Sequence, residues 1–378
     1  MEKELMSPER LQASLASTDL TDPKNGIHAI NLVIEKIHNF LSSKEGWPVP
    51  KIIRSSPITT VLQNFDLLRF PIDNPGRSSR YTRYISENEI LRTHTSAMIP
   101  NILAELGKSQ INDFLVMCPG ICYRRDVVDK THCGEPHQMD VWRIKKGSPR
   151  LEKSDLIELV ESIIACALPK TQYRANAVVH PYTINGLEIE ILKANGDWLE
   201  LLECGEVHPE ILANIGLDPG QYSGLAMGMG LDRLVMLVKE IDDIRILRST
   251  DPRIKTQMTD LQRYHSVSKY PSIRQDISVS VSEQTNEEDI CDTIKCTLGI
   301  NSTAIESISI VSETSYDQLP AIAIERLGIN VGQKNLLIRI VLRSHEKSLT
   351  KEEANEIRDK IYRAIDQSST GGYLAIKN

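Results

Sequence analysis

After the stretch HSVSKYPSIRQ (265–275), the apolar pattern switches between a period of two and a period of 3.6 in a fixed order. It predicts a strand at 276–281, a helix at 286–298, strands at 305–311 and 335–343, a helix at 350–366 and a strand at 372–376. Strand, helix, strand, strand, helix, strand is the ferredoxin-like order, in which each helix lays its single apolar face on the sheet. A domain at 265–378 follows, after a larger one at 21–262 and a leader, 1–20, expected to be loose or helical.

The 378 residues suffice for two or three cores. Charged residues are 25% and hydrophobic ones 40%, as in ordinary globular chains. No apolar run approaches the roughly 18 residues that span a bilayer, so no membrane partner is expected. MEKELMSPERLQASLASTDL mixes acids and bases without an apolar centre, unlike a secretory signal or a mitochondrial presequence. Seven cysteines, an odd number scattered over a long chain, point to reduced thiols and a cytoplasmic location. A net charge of −7 gives no global attraction for nucleic acid, so RNA contact needs a local basic patch.

Within the larger domain, DPKNGIHAINLVIEKIHNFLSS has helical spacing at Ile27, Ile30, Val33, Ile34, Ile37 and Leu41, with Asp22-Pro23 as its expected start. PITTVLQNFDLLRFP and DFLVMCPGICYRRD have strand-like apolar content, and HQMDVWRIKKG alternates like a returning strand. LEKSDLIELVESIIACAL is an amphipathic helix, strands follow around 175–205, and MGMGLDRLVMLVKEI turns from a Gly-rich strand end into a helix.

In CPGICYRRDVVDKTHCGEPHQMD, Arg124 falls near the end of one strand, and Gln138 and Asp140 fall on the next. A guanidinium fixed on a strand suits bidentate grip of a phosphate. Alone, Arg124 fits a surface arginine in a hairpin equally. The glycines of GLAMGMGLDRLVMLV allow close backbone approach, and Arg233 sits where a helix begins, although close packing alone would explain them. Together, in this order, the two segments resemble motifs two and three of the class II aminoacyl-tRNA synthetases.

The resemblance extends to the phenylalanyl-tRNA synthetases over about residues 20 to 378. It is carried by NFDLLRFPIDNPGR (64–77), LRTHTSA (91–97), YRRD…TH…HQMD (123–140), HPYT…LEIEI (180–191), ECGEVHP (203–209) and GLAMGMGLDRL (224–234), in the family's order and spacing. YPSIRQDISV (270–279) and KSLTKEEANEIRDKIYRAI (347–365) resemble the family's ferredoxin-fold anticodon-binding domain. Both modules on one chain look like the organellar, single-chain type. The implied fold is α+β: an antiparallel sheet flanked by helices with the ATP site on the sheet, plus the ferredoxin-like domain. A monomer is the expected state, with a homodimer through the first motif as the alternative.

The resemblance implies an enzyme: a carboxylate attacks the α-phosphate of ATP, pyrophosphate leaves, and the acyl group passes to a tRNA ribose. Such chemistry needs positioning and positive charge on moving phosphates. By the same resemblance, Arg124 holds the α-phosphate and Arg233 the terminal phosphates, Asp126 and His132 line the ATP side, and Glu188 serves the ATP and magnesium end. The ammonium is met by His94, Ser96, Gln138 and Asp140. His180 and Tyr182 line the side-chain pocket, and Ala226 keeps its floor small.

Several residues depart from the family. Asp140 stands for Glu, Pro136 for a Phe that stacks on adenine, Glu203 for Gly and Glu206 for an apolar residue. His180 and Tyr182 stand for two Phe whose rings meet the substrate's phenyl edge to face, a contact worth about 0.5–1.5 kcal/mol per pair. Two readings follow. Unpaired polar groups in the pocket would select an amino acid more polar than phenylalanine. Alternatively, His180 and Tyr182 pair with Glu203 or Glu206 and leave phenylalanine selection intact.

Cys118, Cys122, His132, Cys133 and His137 have a spacing that could ligate zinc. The family pattern already accounts for both histidines, and no protein zinc site is expected. Residues 268–378 hold 13 Lys and Arg against 16 Asp and Glu, a net of −3, whereas phosphate binding favours basic surfaces. Candidate tRNA contacts are Arg339, Arg343, Lys347 and Lys351, and in WRIKKGSPR Arg143, Lys145, Lys146 and Arg150, which also fit a solvated hairpin tip. The expected function is ATP-dependent ligation of a phenylalanine-like amino acid to tRNA. The alternatives are a paralogue activating a different amino acid for another product or acceptor, and a silent amino-acid or RNA binder.

Overall fold

The computed structural model describes all residues except 1–2, 109–111, 126–128, 194–195, 268–269, 345 and 370–378. The chain divides into two compact units. The first comprises 1–124, 135–242 and 246–264; the second comprises 125–134, 243–245 and 265–378.

The first unit opens with α1 (Pro8–Leu15), capped by the Ser7 side chain. This leader is not loose: Met6 N–H donates to the Tyr84 carbonyl at 2.8 Å. Helix α2 (Ala29–Ser42) buries Ile30, Val33, Ile34, Ile37 and Leu41. It starts later than the Asp22-Pro23 signal suggests. Asp22 caps only a short 3-10 turn, Pro23–Asn25, which ends at Gly26 with φ 107°. His28 then caps α2 in a reciprocal box with Asn31, leaving Ile27 exposed. Two short strands follow, β1 (Lys51–Ile52) and β2 (Ile58–Thr60). The strand expected through 57–71 stops at Thr60, because its side chain and Gln63 form a capping box that starts α3 (Val61–Asn64). Next come β3 (Glu89–Leu91) and α4 (Ile99–Gly107).

The main sheet begins with β4 (Asp113–Ile121) and β5 (His137–Lys146), then α5 (Lys153–Ala167). Strands β6 (Tyr173–Ala177), β7 (Thr183–Leu192) and β8 (Trp198–Val207), helix α6 (Pro209–Asn214), β9 (Tyr222–Gly230), α7 (Leu231–Lys239) and α8 (Pro252–Gln257) complete the unit. The seven strands run β1-β4-β5-β9-β8-β7-β6, antiparallel except for β1 beside β4. Strand β5 lies between β4 and β9 and is buried from Met139 to Ile144, Asp140 and Arg143 included.

In the second unit, β10 (Ile273–Ser282), α9 (Glu287–Leu298), β11 (Ile305–Ser315), α10 (Ala321–Leu327), β12 (Gln333–Leu342) and α11 (Lys351–Ile365) follow in order. The described strands pair as β10-β12-β11, and α9 and α11 pack Ile290, Ile294, Ile361 and Ile365 onto Val279, Leu336, Ile338 and Ile340. Asn286 and Thr350 cap the two helices at the predicted starts. The sequence pattern did not show α10, a helix without buried residues flanked by Pro320 and Gly328. The strand expected at 372–376 lies outside the described residues. Among the described residues no helix is long and apolar enough to cross a membrane.

Candidate active site

The register of β5 assembles the site. Gln138 pairs with Gly120 on β4 and with Gly230 on β9. The end of β4, the start of β5 and the start of α7 therefore meet at one end of the sheet. Arg124 follows β4 directly. It is half-buried, and its Nε donates to the Thr93 carbonyl at 2.8 Å. Its own carbonyl accepts from Arg83 Nη2 at 3.1 Å. Arg233 lies in the first turn of α7, where its Nη1 donates to Glu200 Oε2 at 3.1 Å and to the Glu200 carbonyl at 3.2 Å.

Glu188 on β7 pairs across the ladder with Glu203 on β8. With Glu200 they bring carboxylate oxygens within 4.8 Å of one another, the one group among the described residues suited to hold a metal ion. Three hard oxygen donors fit magnesium rather than zinc. Arg233 balances Glu200, and His180 balances Glu203. His180 Nε2 stands 3.3 Å from Glu203 Oε2, at an angle that gives no aligned hydrogen bond. The Glu203 carboxylate raises the His180 pKa above its ordinary value. Glu203→Gln should therefore lower the His180 titration midpoint, measured on the ring C–H resonances by NMR; an unmoved midpoint would refute the pairing. The sign for stability follows. A raised folded pKa stabilises fully below the unfolded value near 6.5, and that contribution fades as pH rises through the folded value.

The residues expected around the amino acid form a row of rings. Phe70 stacks on His94 (5.3 Å, 22°), Tyr182 stacks on Trp142 (6.0 Å, 21°), and His180 tilts against Tyr182 at 5.9 Å. Burial lowers the His94 pKa to about 3, so its ring is neutral, and its Nδ1 has no hydrogen-bond partner. Burial pushes the Tyr182 hydroxyl pKa up. Gln138 is half-buried, with its Oε1 3.4 Å from Cys122 Sγ.

Three expectations change here. Asp140 is not open to an ammonium. It is buried, and its two oxygens accept from Thr95 Oγ1 at 2.6 Å and Trp142 Nε1 at 2.9 Å. Burial also raises its pKa. Ala226 is not an open floor. It lies opposite Trp142 in the ladder, within the buried cluster that includes Trp142 and Met98. Arg143 is no surface contact for tRNA. It is buried, with Nη2 2.8 Å from Asp113 Oδ2 and its guanidinium 4.6 Å from the centre of the Trp47 ring. Its neighbour Lys145 is half-buried, and Lys146 is exposed with its Nζ over the Tyr222 ring.

His132 belongs to the second unit, where its ring lies 3.0 Å from Asp129. Asp126 lies outside the described residues. The zinc-like spacing dissolves in part, since His137 Nε2 accepts from the Leu20 N–H at 3.0 Å and Cys122 is a buried thiol whose pKa burial raises to about 12. In the second unit, Arg339 forks onto Asp276 at 2.7 and 2.8 Å, Arg343 Nε meets Glu306 at 2.6 Å, and Lys347 pairs with Glu353. Lys351 is exposed in the first turn of α11. Sequence reasoning missed Trp142, Phe70 and Glu200. Trp142 was within reach, because alternation puts it on the same face of β5 as Gln138 and Asp140.

Residues 15–258 match the tRNA synthetases class II core domain (F) family, and residues 268–371 match the ferredoxin-fold anticodon binding domain. The chloroplastic/mitochondrial phenylalanine–tRNA ligase of Arabidopsis thaliana is 31% identical over 88% of this chain and 75% of its own length. The chain belongs to the phenylalanine–tRNA ligase family. Its core is that of a class II aminoacyl-tRNA synthetase, a ligase. The mitochondrial phenylalanine–tRNA ligase of Saccharomyces cerevisiae is 28% identical over 88% of this chain and 85% of its own length. The phenylalanine–tRNA ligase alpha subunit of Glaesserella parasuis is 32% identical but covers 68% of this chain and 77% of its own length. Glu203 and His180, two of the residues expected to depart from that family, stand 3.3 Å apart.

Proposed function

We propose that this protein activates phenylalanine with ATP and transfers it to tRNA, with residues 21–262 as the catalytic core and 265–378 as the anticodon-binding module. The observation that carries the reading is the β4–β5–β9 register, which brings Arg124, Gln138 and Arg233 to one end of a family-matched sheet. Arg124 receives the charge that develops on the α-phosphate as the amino-acid carboxylate attacks. Arg233 holds the departing pyrophosphate, and Gln138 orients the ammonium with His94 and Ser96. Their work is placement and charge stabilisation rather than proton transfer. Glu188, Glu200 and Glu203 would hold magnesium, which neutralises phosphate charge when bound.

The Glu203 carboxylate beside His180 and the stacking of Tyr182 on Trp142 support phenylalanine over a more polar amino acid. The ring faces remain for an aromatic side chain. We place the protein in a reducing compartment, the cytoplasm, because its seven cysteines form no disulfide among the described residues. We take it to act as one chain, because the core and the anticodon-binding module are both matched on it. Light scattering in solution checks that state.

Amino-acid-dependent ATP–pyrophosphate exchange across the standard amino acids tests the function. Phenylalanine should show the highest kcat/KM. A higher value for another amino acid, or silence with all of them, would overturn the reading.

A further inference from the structure

The last rung of the β4–β5 ladder joins Ile121 and His137. One more backbone bond follows, from the Cys122 N–H to the Pro136 carbonyl at 2.8 Å, and only then do the strands part toward Arg124 on one side and Glu135 on the other. A terminal rung frays unless its outward groups find partners. Here each finds one. The Ile121 N–H donates to Asp19 Oδ2 at 3.3 Å, and the His137 N–H donates to Asp232 Oδ2 at 2.5 Å. His137 Nε2 accepts from the Leu20 N–H at 3.0 Å, and Arg248 stands 2.9 Å from Asp232.

The segment that supplies Asp19 and Leu20 is itself anchored. Asp19 Oδ1 accepts from Thr21 N–H at 2.9 Å and Thr21 Oγ1 at 2.7 Å, and Arg54 Nη2 donates to the Thr21 carbonyl at 2.9 Å. Further back, Ser14 Oγ accepts from Arg83 Nη1 at 3.0 Å. Arg83 also donates to the Arg124 carbonyl and pairs with Glu135 at 2.6 Å. The segment 14–21 therefore touches both sides of the parted strands, through Arg83 at one point and through the terminal rung at the other.

We infer that Asp19 and the Leu20 N–H are positioning groups for amino-acid activation: they clamp the open end of the β4–β5 hairpin, and thereby set Gln138 against Arg124. This inference rests on the proposed function for its kinetic consequence. Gln138 follows His137 directly, so loosening the rung should show first in amino-acid binding.

The test compares Leu20→Pro, which deletes the donating N–H, with Leu20→Ala, which keeps it, and with Asp19→Ala, which frees Ile121 without proline. In ATP–pyrophosphate exchange, Leu20→Pro should raise the amino-acid KM about tenfold, the size expected for one lost hydrogen bond of about 1.4 kcal/mol, and Asp19→Ala, which also removes both bonds from Thr21, should raise it at least as much. Leu20→Ala should match the wild type. Hydrogen exchange of the backbone at 135–140 should quicken in the first two variants only. A fall in kcat and melting temperature at unchanged KM would mean a merely structural role and would overturn the inference, as would unchanged exchange at 135–140. If the wild type activates no amino acid, the proposed function falls, and hydrogen exchange alone then decides whether the clamp exists. If Leu20→Pro does not fold, Asp19→Ala decides on both readouts.

Discussion

Replacing Arg124 with alanine should lower kcat for amino-acid activation about a thousandfold, the upper range for removing one preorganised charge donor from a reacting oxyanion. The structure gives the reason for so large a value. The Nε bond to the Thr93 carbonyl holds the side chain, and Arg83 holds the carbonyl of the same residue. The guanidinium is therefore placed before substrate arrives and loses little on binding. Arg124→Lys keeps the charge but not the planar fork, and should recover only part of the loss. Melting temperature should barely move in either variant, since the side chain is half-buried and its recorded bond is to one carbonyl. Pre-steady-state formation of the aminoacyl adenylate is the measurement. Loss of less than tenfold would remove Arg124 from the phosphate site.

Arg143→Ala should act in the opposite way, with a large effect on stability and none on tRNA affinity. The guanidinium bonds Asp113 through Nε at 3.1 Å and Nη2 at 2.8 Å, and lies over Trp47. Its removal strands a carboxylate that is 26% exposed. The expected cost is about 2 kcal/mol, between that of a surface pair and that of a fully buried one. For a unit of this size that is a fall of about 4–8 °C in Tm. Calorimetry and tRNA binding at fixed salt check the two halves. A stable variant with weakened tRNA binding would return Arg143 to the RNA-facing set.

Arg143 also illustrates where sequence and structure part. WRIKKGSPR reads as a basic cluster, and nothing local distinguishes Arg143 from Lys145 or Lys146. The distinction comes from Asp113 and Trp47, which are distant in sequence. Arg339 and Arg343 teach the same lesson. Their charge was visible, but Asp276 and Glu306 engage it across the sheet. By contrast, α11 was legible almost to the residue, because Thr350 and Glu353 announce its start and Ile361 and Ile365 continue one face. The strand predicted at 57–71 failed for a local reason: the capping pair Thr60 and Gln63 outweighed the β-branched residues before it.

The site divides likewise. Arg124, Gln138 and Arg233 could be named from sequence because the segments that carry them resemble motifs of the family. That Asp140 turns inward to Trp142 and Thr95, that His180 finds Glu203, and that Asp19 and Leu20 close the β4–β5 hairpin could not be named. The sequence alone determined the family and most of the order of elements, because those depend on motif and local period. The tertiary structure decided which polar groups remain open to a substrate, because burial and partnership between residues far apart in the chain exist only once the sheet has formed.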